Sequence, residues 1–115
     1  MLRVPCSFDE LKKILARHGN IIISEHYMKY LFEGKRDIKP EEIKEYLGNR
    51  DFYFVEKQLN SWTRYKVIYE LSKRYDLIIV VKPEEPNILK VVSAYKSNKK
   101  LKEKWKKMLK SRMMK

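Results

Sequence analysis

Arg64-Tyr65-Lys66-Val67-Ile68-Tyr69-Glu70-Leu71-Ser72-Lys73-Arg74-Tyr75-Asp76-Leu77-Ile78-Ile79-Val80-Val81-Lys82 reads as two strands and the turn between them. Its first half alternates. Tyr65, Val67, Tyr69 and Leu71 fall on one face, and Arg64, Lys66, Ile68 and Glu70 on the other, the period-two signature of a strand with cations on one face. Its second half, Leu77 to Val81, is apolar on both faces and is predicted to be the most buried strand. Flanking segments of the same Val, Ile, Tyr and Phe character complete a set of four strands, at 52–59, 63–71, 76–82 and 88–95. Asn60-Ser61 and Ser72-Lys73 read as hairpin turns and 83–87 as a loop. Links this short favour an antiparallel meander.

Upstream the period lengthens to that of a helix. Ser7-Phe8-Asp9-Glu10 is a capping box, in which the Ser7 hydroxyl accepts from the third amide while Glu10 reaches back. Phe8, Leu11, Ile14 and Leu15 follow as an apolar stripe, with Gly19 as a left-handed stop. A short extended Ile21-Ile22-Ile23 leads to Ser24, a second N-cap. Tyr27, Met28, Leu31 and Phe32 are the expected buried face of the next helix, which stops at Gly34. Pro40, followed by Glu41 and Glu42 at the positive end of the dipole, opens a third helix. Its inward residues are Ile43, Tyr46 and Leu47, and Gly48-Asn49 closes it. The expected fold class is α+β: N-terminal helices packed on a four-stranded antiparallel sheet, closed by a basic C-terminal amphipathic helix, as one domain over 1–115.

That last helix is read from 96–115, which holds ten Lys or Arg against Glu103. Those residues carry +9 of the chain's formal +12, leaving +3 for the first 95 residues. Leu101, Trp105, Met108 and Leu109 recur at helical spacing after a cap at Ser97 or Asn98, while Lys99, Lys102, Lys106, Lys107 and Lys110 fan over the other side. The apolar stripe can dock on the body, fixing the lysines as a patch, or lie on a membrane surface. A solvated lysine face without a partner is the plain alternative. A concentrated basic block points first to RNA or another nucleic acid or to an acidic protein, and only then to an anionic membrane.

The composition narrows the remaining classes. No apolar run approaches the ~20 residues needed to cross a bilayer, and Met1 to Glu10 lacks a signal-peptide core, so the expected compartment is cytoplasmic. Cys6 alone makes no internal disulfide, and the separated His18 and His26 make no zinc signature. No cofactor is expected.

One helix begins Ser24-Glu25-His26 and ends near Arg36-Asp37-Ile38. A second runs from Pro40-Glu41-Glu42-Ile43 to Gly48-Asn49, and the last strand finishes Val91-Val92-Ser93-Ala94-Tyr95. Over 24–97 this resembles the barnase/RelE-like nuclease superfamily, and within it the small uncharacterised branch associated with phages, plasmids and toxin–antitoxin operons. In that branch a helix-borne His, an Arg before an Ile, and a Ser or Thr on the last strand recur; here they match His26, Arg36 with Ile38, and Ser93. The resemblance implies metal-independent RNA cleavage, in which a ribose 2′-hydroxyl attacks the adjacent phosphate to leave a cyclic phosphate and a 5′-hydroxyl. It also implies an acidic antitoxin-like partner. Tyr30 stands where relatives carry an Arg one helical turn after the His.

Such a reaction needs a proton acceptor, a proton donor and cations around the developing phosphorane. His26 suits either proton role; it also reads as an ordinary half-buried His. Arg64 and Lys66, two apart on one strand face, can clamp a phosphate, with Lys57 joining them if the hairpin register allows. The same cations can simply keep an exposed face soluble. Arg36 reads as a phosphate ligand or as a partner for Asp37. Ser93 and Tyr95 share a strand face; Ser93 can bind phosphate or be a satisfied core hydroxyl, and Tyr95 can donate a proton or stack. Trp62 beside Arg64 can stack an unpaired base, and Lys96, Lys99, Lys102, Lys106, Lys107 and Lys110 supply backbone contacts. Binding of nucleic acid without cleavage uses the same cations and needs no Arg at position 30. A module that meets an acidic protein through its lysine helix is the third reading.

Overall fold

A computed structural model describes residues 2–49, 51–59 and 63–98. Trp62, the Asn60-Ser61 turn and the basic segment carrying Lys99, Lys102, Lys106, Lys107 and Lys110 lie outside the described residues. The elements run β1 (Leu2–Pro5), α1 (Phe8–Arg17), β2 (Asn20–Ile23), α2 (Glu25–Phe32), α3 (Pro40–Asn49), β3 (Phe54–Leu59), β4 (Arg64–Glu70), β5 (Tyr75–Glu84) and β6 (Ile88–Asn98).

The class is α+β, as the periodicity predicts, but the sheet has six strands rather than four. Their order is β1-β3-β4-β5-β6-β2. The meander β3 to β6 is antiparallel throughout. β1 adds antiparallel to β3, and β2 adds parallel to β6, so the sheet is mixed. Both additions are four-residue edge strands that pair with partners far along the chain. β5 extends through Pro83 to Glu84, so the expected 83–87 loop shrinks to a turn. β6 runs three residues past its expected end, and Lys96, Ser97 and Asn98 are strand rather than the start of a helix.

The three helices share one face. Leu11, Ile14 and Leu15 of α1, Tyr27 and Leu31 of α2, and Ile43, Tyr46 and Leu47 of α3 pack with Val55, Tyr65, Val67, Tyr69, Leu77, Ile79, Val81, Leu89, Val91 and Ala94. Leu77 to Val81 is buried throughout, as its two-sided apolar pattern predicts. Ile68, Ile78 and Val80 point the other way and gather Tyr53, Phe54, Val92 and Tyr95 into a second cluster.

Caps form where the serines predict, with corrections at Gly19, at Gly48, which lies inside α3 rather than closing it, and at Glu10. Ser7 and Ser24 accept from the amides of Glu10 and Tyr27, each at 3.1 Å. Glu10 turns instead to Cys6 and Lys57, so the box is half made. Gly19 does not adopt the left-handed conformation; His18 caps α1. Gly34 does, with φ of 76°. Its N–H bonds the Leu31 carbonyl at 3.1 Å and the Lys35 N–H bonds Tyr30 at 2.9 Å, the paired bonds of a Schellman motif. The expected inward face of α2 also narrows. Tyr27 is buried, but Met28 is exposed and Phe32 is 95% exposed, because an eight-residue helix lying along β6 presents only the Tyr27–Leu31 line to the core.

Candidate functional site

Two anchors fix the chain between α2 and α3. The Schellman turn holds its start, and at its far end the Tyr27 hydroxyl donates to the Ile38 carbonyl at 2.6 Å while the Ile38 side chain is buried. Burial pushes the Tyr27 hydroxyl pKa up to about 12, so it stays a donor at neutral pH. Ile38 thus acts as the peg that places Arg36 two residues earlier.

A β-bulge sets the other wall. Val80 pairs with Ser93 but Val81 pairs with Val91, so Val92 is an extra residue in β6. Before the bulge Val91 faces the helices; after it Ala94 does, and Ser93 and Tyr95 turn to the opposite face. β2 pairs only as far as Val91. Beyond that point the 35–37 segment lies beside β6, with Arg36 at Tyr95 and Asp37 at Lys96.

The two walls enclose an open cleft of about 410 Å³, lined by Gly34, Lys35, Arg36, Asp37, Tyr95 and Lys96. The Arg36 guanidinium sits between two rings, 5.7 Å from the centroid of Tyr30 and 5.9 Å from that of Tyr95. Its Nη1 donates to the Lys35 carbonyl at 3.0 Å. Nε is buried without an acceptor, and Arg36 makes no ion pair among the described residues. Asp37, the acid nearest in sequence, pairs with Lys96 at 3.3 Å instead. Lys35 pairs with Glu33 at 3.0 Å and lies 5.3 Å over Tyr30. Two carboxylates therefore answer two lysines, and the arginine charge is left over. His26, exposed one turn before Tyr30, tilts against that ring with centroids 4.3 Å apart.

The cluster thus unites His26, Arg36, Tyr95 and Lys96, with Ser93 two residues away on the same strand face. Arg64 and Lys66 do share a face, the one with Ser93. The register Lys66–Val80–Ser93 leaves Lys66 two strands from Ser93, roughly 10 Å at normal strand spacing. Neither they nor Ser93 line the cleft.

Lys57 cannot join them. It is in register with Tyr65, on the helix side, where it pairs with Glu10 at 3.2 Å and lies 5.8 Å over the Tyr65 ring. There Cys6 donates to Glu10 at 3.1 Å. The thiol's hydrogen bond, ahead of Lys57, holds the Glu10 carboxyl below its usual range. Burial, reinforced by that carboxylate, pushes Cys6 up to about 12 and raises Tyr65 as well. This is a local staple between α1 and β3.

Of the other strand tyrosines, Tyr65 and Tyr69 are core, Tyr53 donates to Asp76 on the other face, and Tyr75 is exposed. Tyr30, Lys35 and Asp37 belong to the cleft without having been singled out for it. The i, i+4 spacing of His26 and Tyr30 was the signal available for the first. Among the described residues no group of three or more His, Cys, Asp or Glu could hold a metal ion, and no helix is long and apolar enough to cross a membrane. No family model, curated protein or solved structure matches this chain.

Proposed function

We propose that the Arg36 cleft binds the phosphate backbone of RNA and cleaves it as a metal-independent endoribonuclease. The observation that carries this reading is an arginine held between two tyrosines with no carboxylate of its own among the described residues, and an exposed histidine against one of those rings. A guanidinium placed this way keeps its charge for an incoming anion, and the flanking rings restrict it to one plane. In the proposed step the ribose 2′-oxygen forms a bond to phosphorus as the bond to the 5′-oxygen breaks. His26 takes the 2′-hydroxyl proton, Arg36 and Lys96 balance the charge growing on the phosphoryl oxygens, and Tyr95 protonates the departing 5′-oxygen. Arg64 and Lys66 hold flanking phosphates.

The test is cleavage of a mixed single-stranded RNA in EDTA, comparing wild type with His26→Ala and Arg36→Lys. Cyclic-phosphate and 5′-hydroxyl ends from wild type alone are expected, and a 2′-deoxy substrate should be inert. Wild-type cleavage that persists unchanged in His26→Ala removes His26 from the mechanism. Tyr30 in place of an Arg favours a second reading, in which the cleft binds nucleic acid without cutting it; a salt-sensitive gel shift with no product is its signature. In either case the cationic cleft is the surface an acidic antitoxin-like protein would occupy, in competition with RNA.

A further inference from the structure

On the sheet face opposite the helices, one row of residues is cationic from strand to strand. Gln58 of β3 lies opposite Arg64 of β4. The Tyr65–Val81 register, carried one residue further, sets Arg64 opposite Lys82 of β5. Lys82 in turn lies opposite Lys90 of β6. Val81 and Val91 face the helices, so these two lysines point the other way. Like charges directly opposite one another destabilise a sheet. Elsewhere on this face the pairing is complementary, as where Lys66 lies opposite Glu56, but the row itself contains no acid. Glu84, two residues beyond Lys82 on β5, answers both lysines through one oxygen: its Oε1 is 3.6 Å from Lys82 Nζ and 3.9 Å from Lys90 Nζ. Both distances are longer than a hydrogen bond, and the Lys82 and Lys90 side chains remain 24% and 42% exposed. The Arg64 Nε has no acceptor among the described residues. An anion with several oxygens fits this row better than the single carboxylate that serves it.

We propose that Arg64, Lys82 and Lys90 form a second phosphate site, which holds the backbone of an RNA strand whose reacting phosphate lies in the Arg36 cleft. The inference rests on the RNA reading of that cleft and adds to it a direction and a minimum length of substrate. Tyr95, at the cleft, lies opposite Ile78, four residues along β5 from Lys82, which is ~13 Å at normal strand rise. Ser93 stands between Tyr95 and Lys90 on the same face. The strand therefore runs back along β6 and crosses onto β5 and β4, where Arg64 is two strands, or ~10 Å, from Lys90. Glu84 holds the two lysines in place and competes with the phosphate for them.

The test is binding of a 2′-O-methyl RNA dodecamer, which has no free 2′-hydroxyl to react, by full-length protein across a salt series, read by fluorescence anisotropy. Lys82→Gln with Lys90→Gln should weaken binding about tenfold and flatten the slope of log K against log salt by about 1.4, the share of two phosphate contacts on a single strand. Glu84→Gln should do the opposite and tighten binding several-fold, and it keeps the test decisive if the lysine variant folds poorly. Two controls change the same charge elsewhere: Glu41→Gln on α3, and Lys12→Gln with Lys13→Gln on α1, should leave binding unchanged. A Glu84→Gln protein that binds no tighter than Glu41→Gln would overturn the proposal. So would equal losses from the two lysine pairs, which reduce the effect to net charge. Unchanged affinity and slope in the Lys82 and Lys90 variant would overturn it while leaving the cleft reading intact. A loss there with none in Arg36→Ala would remove the cleft from the strand's path, and the cleft reading would fail instead. Wild-type protein that does not bind the dodecamer would refute both.

Discussion

Two glycine-to-alanine substitutions should move stability in opposite directions. Gly34 sits at φ of 76°, whereas Gly48 lies inside α3 without a positive φ, and an added Cβ would meet nothing within 4 Å at either site. Sterics with neighbours therefore cancel from the comparison, leaving backbone conformation alone. At Gly34 an L side chain in the left-handed region costs ~1–2 kcal/mol. At Gly48 alanine gains ~0.5–1 kcal/mol through helix propensity. For a chain of this size a change of 1 kcal/mol shifts Tm by roughly 4 °C. Gly34→Ala should thus lose about 4–8 °C and Gly48→Ala gain about 2–4 °C, read by calorimetry or by circular dichroism at 222 nm. Gly34→Asn should fall between wild type and Gly34→Ala, because Asn tolerates the left-handed region. A Gly34→Ala protein as stable as wild type would refute the Schellman geometry and with it the placement of Arg36.

Phe32→Ser should change stability by less than about 0.5 kcal/mol, since the ring is 95% exposed. Tyr27→Phe should lose about 1 kcal/mol with the bond to Ile38; urea melts of the two separate these effects. Cys6 should react with a thiol reagent at pH 8 roughly 1,000-fold more slowly folded than unfolded, because moving its pKa from 9.0 to about 12 removes that share of thiolate. The same raised pKa contributes stability that is complete below pH 9 and is lost as pH rises toward 12. Alkaline melts should therefore show a decline over that window that is smaller in Cys6→Ala.

The meander, the caps and all three helices were legible because each is written in local pattern. β4 alternates strictly, β5 is apolar on both faces, and a serine stands before each of the first two helices. β1 and β2 were not, for a common reason: four residues make no measurable periodicity, and their partners lie far away in sequence. Ile21-Ile22-Ile23 could be read as extended, but nothing local says that it joins β6 in parallel. Phe32 was misjudged because helical spacing identifies a stripe without saying how wide a stripe the sheet needs. The cleft was half legible. His26, Arg36, Tyr95 and Lys96 carry evident chemistry, yet their assembly depends on the Val92 bulge, which no residue type announces. Tyr30 looked like an absence and proves to be the surface on which His26 and Arg36 both rest.

The parallel pairing of β2 with β6 has a consequence for the order in which the protein is built. Ser24 reaches the Val92 carbonyl across 68 residues of sequence, so neither α2 nor the segment bearing Arg36 has its final neighbour until β6 has been synthesised. The hairpins from β3 to β5 close short loops and are free to form first, while the β2–β6 seam is a long-range closure that comes late. A nascent chain still short of Tyr95 therefore has a helix bearing His26 and Tyr30 but only one wall of the cleft. Whatever the cleft binds, it cannot bind it until the last described strand has emerged.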